Sequence, residues 1–141
     1  VRIIEDCYNA NPTSMRAALA MFKDYPCKRR FAVLADMLEL GDEARTEHEE
    51  LGRLVAQSAV DVLITYGELA HRTATVAAAK GVRTIHAHNY DEIAGFLAKA
   101  TAPGDAVLFK GSRAMALENA VERLQALKDA EALAGESGER S

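Results

Sequence analysis

Short apolar runs alternate along this chain with longer stretches whose apolar residues recur at the helical period. Arg2 to Cys7 reads as the first strand. Pro12 then stands at a first helical position, where its missing N–H costs nothing, and Asn11 is a good N-cap. The predicted helix runs to about Asp24 with Met15, Ala18, Leu19 and Phe22 on one face, and Pro26 closes it. Phe31–Ala35 is near-continuously apolar, as buried parallel strands are. Thr46 and Glu49 have capping-box spacing for a second helix, which Leu51, Leu54 and Val55 continue to about Ala59. Val60–Tyr66 is the third strand, ended by Gly67. An alanine-rich helix from about Glu68 to Lys80 follows, with Gly81 as its C-cap. Arg83–Ala87 is a short fourth strand, and Asn89 and Glu92 start a helix that turns Ile93, Phe96, Leu97 and Ala100 inward. After the Pro103-Gly104 turn, Ala106–Phe109 forms the fifth strand and runs into Lys110-Gly111-Ser112-Arg113. The last helix carries Leu117, Val121, Leu124 and Leu127.

Strands alternating with helices predict an α/β fold: a Rossmann-like, doubly wound, mostly parallel sheet with helices on both faces. One domain over residues 1–128 accounts for the pattern. The small, charged segment 129–141 is expected to fray into a disordered tail. The 141 residues, 49% hydrophobic and 27% charged, suit one globular domain. A net charge of −4 argues against a nucleic-acid partner. The sequence contains neither an apolar run long enough for a membrane span nor a signal-peptide pattern. Two cysteines are too few for a disulfide scaffold and fit a reducing cytoplasm. The chain opens with Val1 directly in a strand-like run, without Met, so it is expected to be a piece of a longer protein.

Polar groups collect where strands end. In parallel α/β sheets, ligands bind at those carboxyl ends, beside the following helix N-termini. Asp6, Tyr8, Asn9 and Asn11 offer a carboxylate, a phenol and two amides, suited to a ribose, an adenine edge or a metal-bound phosphate. The plainer alternative is an Asx turn with Asn11 as cap. Asp36 and Glu39 could orient a metal or an amine; the alternative is a capped turn with Glu39 in solvent. Lys110, Ser112 and Arg113 around Gly111 suit a carboxylate or phosphate at a helix start, against a simple glycine turn capped by Ser112. There is no Gly-x-x-x-x-Gly-Lys-Ser/Thr loop and no Gly-x-Gly-x-x-Gly after the first strand, which argues against a dinucleotide oxidoreductase. His48 reads as a packing or surface residue and His71 as solvent-facing. His86 and His88 lack partners at zinc-ligand spacing, and Cys7 reads as a packing residue. No metal ligand is assigned.

Asp6-Cys7-Tyr8-Asn9-Ala10-Asn11-Pro12-Thr13-Ser14-Met15, Asp36-Met37-Leu38-Glu39-Leu40-Gly41 and Lys110-Gly111-Ser112-Arg113, in that order, resemble the C-terminal domain of the Mur ligase family, in its D-alanyl-D-alanine-adding branch. The resemblance covers about Arg2 to Leu127, and its most specific motif is Tyr8–Pro12. The family often has Asp where this chain has Glu5, and Gly where it has Ala35; Ala35 suggests that no positive φ is needed there. The resemblance implies a cytoplasmic, monomeric ligase that uses ATP and Mg²⁺ to join D-Ala-D-Ala to UDP-N-acetylmuramoyl-tripeptide through an acyl phosphate. It further implies an N-terminal domain and a central ATPase domain that this chain lacks. The central domain would be its partner and would hold most of the ATP and Mg²⁺, so the chain alone is expected to be inactive. By similarity, Asp6, Tyr8, Asn9 and Asn11 face the nucleotide, while Asp36, Glu39, Lys110, Gly111, Ser112 and Arg113 line the dipeptide side. The alternatives are another amide ligase of the same superfamily, which should lack the paired first and second motifs, and a stand-alone nucleotide-binding module, which should begin with Met.

Overall fold

The structure, a computed structural model, describes residues 1–140, and the side chains of residues 1–135. Among the described residues, five strands alternate with five α-helices. The strands are β1 (Arg2–Asp6), β2 (Arg30–Ala35), β3 (Val62–Tyr66), β4 (Arg83–Ala87) and β5 (Ala106–Lys110). The helices are α1 (Pro12–Asp24), α2 (Ala44–Ala56), α3 (Ala70–Ala79), α4 (Tyr90–Ala100) and α5 (Glu118–Arg140). The strand order is β1-β5-β2-β3-β4, and every pairing is parallel. The last strand in sequence is thus inserted between the first two.

Burial explains the composition of each strand. β2 and β5 lie inside the sheet with helices on both faces, and their side chains alternate between two cores. Phe31, Val33, Val107 and Phe109 meet Ile93 and Leu97 of α4 and Val121 and Leu124 of α5. Ala32, Leu34, Ala106 and Leu108 meet Met15, Leu19 and Phe22 of α1, Leu51 and Val55 of α2, and Ala77 of α3. α1 to α3 therefore cover one face and α4 and α5 the other. The doubly wound sheet is as expected, and it is wholly parallel.

Local signals set the starts of α1 and α4. The Asn11 Oδ1 accepts from the Ser14 N–H at 2.8 Å and the Ser14 Oγ accepts from the Asn11 N–H at 3.0 Å, a reciprocal cap in front of α1. The Asn89 Oδ1 accepts from the Glu92 N–H at 2.8 Å, as its spacing suggested. The Thr46–Glu49 cap is not formed. A 3-10 turn, Gly41–Glu43, runs directly into α2, so the helix begins at Ala44 with no side-chain cap and no extended residue to supply one. Thr46 lies inside the helix, and Glu49 pairs with Arg45 at 2.9 Å. Past Asp129, where fraying was expected, α5 continues as helix to Arg140, with positions 129–135 all exposed. Alanine, glutamate and leucine are good helix formers, and they carry the helix beyond its packed part. Ser141 lies outside the described residues. No helix among the described residues is long and apolar enough to cross a membrane.

The end of the sheet opposite the carboxyl-end turns is closed by one ion pair. Asp105, 2% exposed at its side chain, accepts from Arg29 Nη2 at 2.7 Å, Arg29 Nε at 3.2 Å and the Ala102 N–H at 2.8 Å. The Arg29 guanidinium holds the Asp105 carboxyl below the ordinary carboxylate range. A carboxylate with a depressed folded pKa contributes stability that is present above its unfolded value, about 4, and lost as pH falls through the folded value. Urea unfolding should therefore show stability declining below about pH 4. Asp105→Asn should lower stability at pH 7 and flatten that decline; an unchanged acid limb would contradict the assignment.

Candidate functional site

β5 stands at a switch point. The helices that follow its neighbours β1 and β2 lie on one face of the sheet, and the helix that follows β5 lies on the other. Helices departing to opposite faces leave a crevice outside the carboxyl ends of such strands. A cleft of about 520 Å³ lies there. It is lined by Tyr8 and Asn9 from the turn after β1, Leu38 and Glu39 from the turn after β2, and Ser112, Arg113 and Ala114 from the turn after β5.

The three turns are tied to one another through β5. Lys110, the last residue of β5, is 2% exposed. Its Nζ donates to Asp6 Oδ2 at 2.9 Å and to the Asn9 carbonyl at 2.8 Å, which folds the β1 turn over the end of β5. The Ser112 N–H donates to the Asp36 carbonyl at 3.0 Å, and the Leu38 N–H donates to Ser112 Oγ at 2.9 Å. The β2 turn is thereby tied to the same strand. Gly111 lies between these two anchors, and a Cβ there would stand 2.6 Å from that of Ala35. The close approach of the two turns requires a glycine at 111. Ala35 itself has no positive φ, as its identity suggested.

Of the residues expected in the site, five line the cleft, and four of these, all but Ser112, present exposed side chains to it. Tyr8 is 76% exposed, with the Arg113 guanidinium carbon 5.4 Å from its ring centroid, a cation–π contact. Asn9 is exposed. Glu39 sits in the left-handed region at φ 63°, on a turn that carries it to the cleft wall. The others serve the scaffold. The Asn11 side chain is committed to the α1 cap. Asp6 is the counter-ion of Lys110, and Lys110 is a buried tie, not a free anion-binding cation. Asp36 is buried and accepts from the Ala70 N–H at 2.7 Å, so it holds the start of α3. Ser112 reaches the cleft edge, but its hydroxyl binds Leu38 and caps no helix. A 3-10 turn, Arg113–Met115, and a left-handed Ala116 intervene, and α5 starts only at Glu118; the cations therefore do not sit at a helix N-terminus.

Other contacts were not foreseen. Tyr90 OH donates to the Met115 carbonyl at 2.7 Å and its ring lies 5.1 Å from that of Tyr66, which steadies the 3-10 turn bearing Arg113. His48 is fully buried under the β2 turn. The signal for it was available: His48, Leu51 and Val55 share one helical face, and all three are buried. Cys7 packs inward, as its reading as a packing residue expected, with its Sγ 3.7 Å from the Phe109 carbonyl. Burial, reinforced by the nearby Glu5, Glu118 and Asp6 carboxylates, pushes its thiol up to about 12, so it is protonated at neutral pH and inert as a nucleophile. A second cleft, at the ends of β3 and β4, is lined by Asp36, Tyr66, Glu68, His86 and His88 among others. The His86 ring lies 4.7 Å from that of His71 and 5.6 Å from that of His88; burial first, then these two neighbours, lower its pKa. Among the described residues, no group of three His, Cys, Asp or Glu side chains could hold a metal ion.

Residues 1–113 match the family model for the Mur ligase, glutamate ligase domain. The chain is 37% identical over 125 residues to the UDP-N-acetylmuramoyl-tripeptide–D-alanyl-D-alanine ligase of Bacillus subtilis (strain 168), a match covering 86% of this chain and 27% of that protein. The ligase of the same name from Escherichia coli (strain K12) is 33% identical over 124 residues, covering 87% of this chain and 26% of that one. Among solved structures, the MurF ligase of Thermotoga maritima in complex with ADP superposes with a TM-score of 0.80 at 29% identity, over 92% of this chain and 29% of that one. The chain thus spans less than a third of the length of these relatives.

Replacing Gly111 by alanine should lower stability by about 1–3 kcal/mol, the usual range for forcing a methyl into a closed contact. Adding Ala35→Gly, which removes the opposing methyl, should restore most of the loss in urea unfolding. Simple addition of two losses would mean that the two turns do not approach as described.

Proposed function

We infer that this chain, which belongs to the Mur ligase family, works as the C-terminal domain of an ATP-dependent ligase that joins D-Ala-D-Ala to UDP-N-acetylmuramoyl-tripeptide in peptidoglycan precursor synthesis. The reading carries a cytoplasmic, monomeric enzyme with it. The observation that supports it most is the convergence of Tyr8, Asn9, Glu39 and Arg113 on one open cleft at the switch point. The relatives named for this reaction match across most of the chain.

In such a ligase, ATP phosphorylates the tripeptide's terminal carboxylate and releases ADP. The dipeptide amine attacks the resulting acyl phosphate, loses its proton, and displaces phosphate through a tetrahedral intermediate. The groups in this cleft suit the positioning such chemistry needs. Tyr8 offers an exposed ring face and Asn9 an amide, a fit for the base and ribose of a nucleotide. Arg113 is a guanidinium free of any carboxylate partner among the described residues, a fit for the dipeptide carboxylate. Glu39 offers an acceptor for its amine. Mg²⁺ would neutralise the phosphates, and a central ATPase domain would hold the ion; among the described residues no cluster of three candidate ligands is present. That domain would form the open side of the cleft, with closure excluding water.

The direct test follows phosphate release by the full-length protein, given ATP and UDP-N-acetylmuramoyl-tripeptide, with D-Ala-D-Ala added or withheld. Release should depend on the dipeptide, and the isolated chain should show none. A different amine as trigger would reassign the substrate within the ligase superfamily. Tyr8→Ala should raise the KM for ATP about tenfold, the loss of one base–aromatic stack. Arg113→Ala should raise the KM for the dipeptide tenfold or more, roughly the loss of a charge-assisted hydrogen bond. Because the two side chains touch, their effects should be partly coupled.

A further inference from the structure

The β2 turn presents Leu38 and Glu39 to the cleft, and two successive amides hold its backbone. The Leu38 N–H donates to Ser112 Oγ, and the Met37 N–H donates to His48 Nε2 at 3.0 Å. The other ring nitrogen of His48, Nδ1, lies 2.6 Å from the Ala44 carbonyl of its own helix. A backbone N–H can only donate and a carbonyl can only accept, so these partners assign the ring: neutral, with its proton on Nδ1. His48 is fully buried, and its own carbonyl accepts from Thr73 Oγ1 of α3 at 2.8 Å. At Gly52, α2 packs so closely on α3 that a Cβ would stand 2.7 Å from the Thr73 carbonyl. His48 is thus a rigid post with one acceptor aimed at one peptide. Two residues beyond that peptide, Glu39 takes its left-handed conformation.

We propose that His48 is a positioning residue for the ligand cleft: through the Met37 peptide it sets the Glu39 turn from below, as Ser112 sets it from the side. It touches no ligand and acts only through the turn. Without the Nε2 acceptor, the Met37 N–H is left buried or must turn to find water. A donor left buried bears its full desolvation penalty, which drives the peptide to turn; turning moves Glu39 relative to Arg113, and misplacement of a positioning group by about an ångström costs roughly up to a hundredfold in rate or affinity. The identity of the ligand affected, the amine-bearing dipeptide, rests on the proposed function. The geometry of the turn does not.

The test uses the full-length protein with His48→Leu, which keeps bulk but removes the acceptor, and His48→Gln, whose Oε1 can replace Nε2. In His48→Leu, amide exchange should accelerate in the peptide spanning residues 37–41 while residues 106–110 of β5 stay protected. The KM for D-Ala-D-Ala should rise about tenfold with kcat within about threefold. His48→Gln should return both readouts toward the unmodified protein. Unchanged exchange at 37–41, an equal rise in β5, or a Gln variant indistinguishable from the Leu variant would overturn the proposal. Should the unmodified protein show no dipeptide-dependent phosphate release, the functional reading falls, and the exchange pattern still decides the role of His48.

Discussion

A lysine ammonium with almost no access to water stands at the end of β5, between β1 and β2, and the site is arranged around it. Burying a charge without partners is prohibitive, and even a paired one loses several kcal/mol of hydration. Lys110 recovers this with one carboxylate oxygen, from Asp6, and one carbonyl, from Asn9. Asp6 ends β1 and Asn9 lies in the turn that follows, so the turn is obliged to fold back across the end of β5. That fold turns Tyr8 and Asn9 outward. The next residues of the β5 turn then anchor the β2 turn, through Ser112 and the Gly111–Ala35 contact. One strand end therefore disposes all three walls of the cleft.

This dependence is also why the sequence could be read in part only. Strand and helix identities follow from local periodicity, and they were legible from Phe31–Ala35 or from the Met15–Phe22 stripe. The turns that line the cleft were legible as polar clusters at strand ends. The strand order was not, because the insertion of β5 between β1 and β2 is a matter of distant pairing, Ile3 with Val107 and Phe31 with Val107. Without that order, the direction of each polar side chain was out of reach. Lys110 looked like a ligand-binding cation because nothing local announces that Asp6 will neutralise it. Asp36 looked available because its partner, the Ala70 amide, is a backbone group that any residue could offer, whereas the Asn11 cap in front of Pro12 was legible and formed. Thr46 had the spacing of a cap but not the extended backbone a cap needs.

The division between scaffold and exposed groups bears on function. Buried or bonded polar groups (Lys110, Asp36, Asn11, Ser112, His48) fix where the turns lie. Tyr8, Asn9, Glu39 and Arg113 remain exposed on the cleft. Such an arrangement is preorganised yet open on one side, as suits a domain whose site is completed by another. It also separates two kinds of substitution. Changes among the first group should act through stability or turn geometry, and changes among the second through affinity alone.

The most direct measurement is a crystal structure of the full-length protein with a non-hydrolysable ATP analogue and D-Ala-D-Ala. The adenosine should lie against Tyr8 and Asn9, and the dipeptide carboxylate on Arg113 with its amine toward Glu39. A dipeptide bound instead at the ends of β3 and β4, beside His86 and His88, or a nucleotide with no contact to the β1 turn, would contradict this placement.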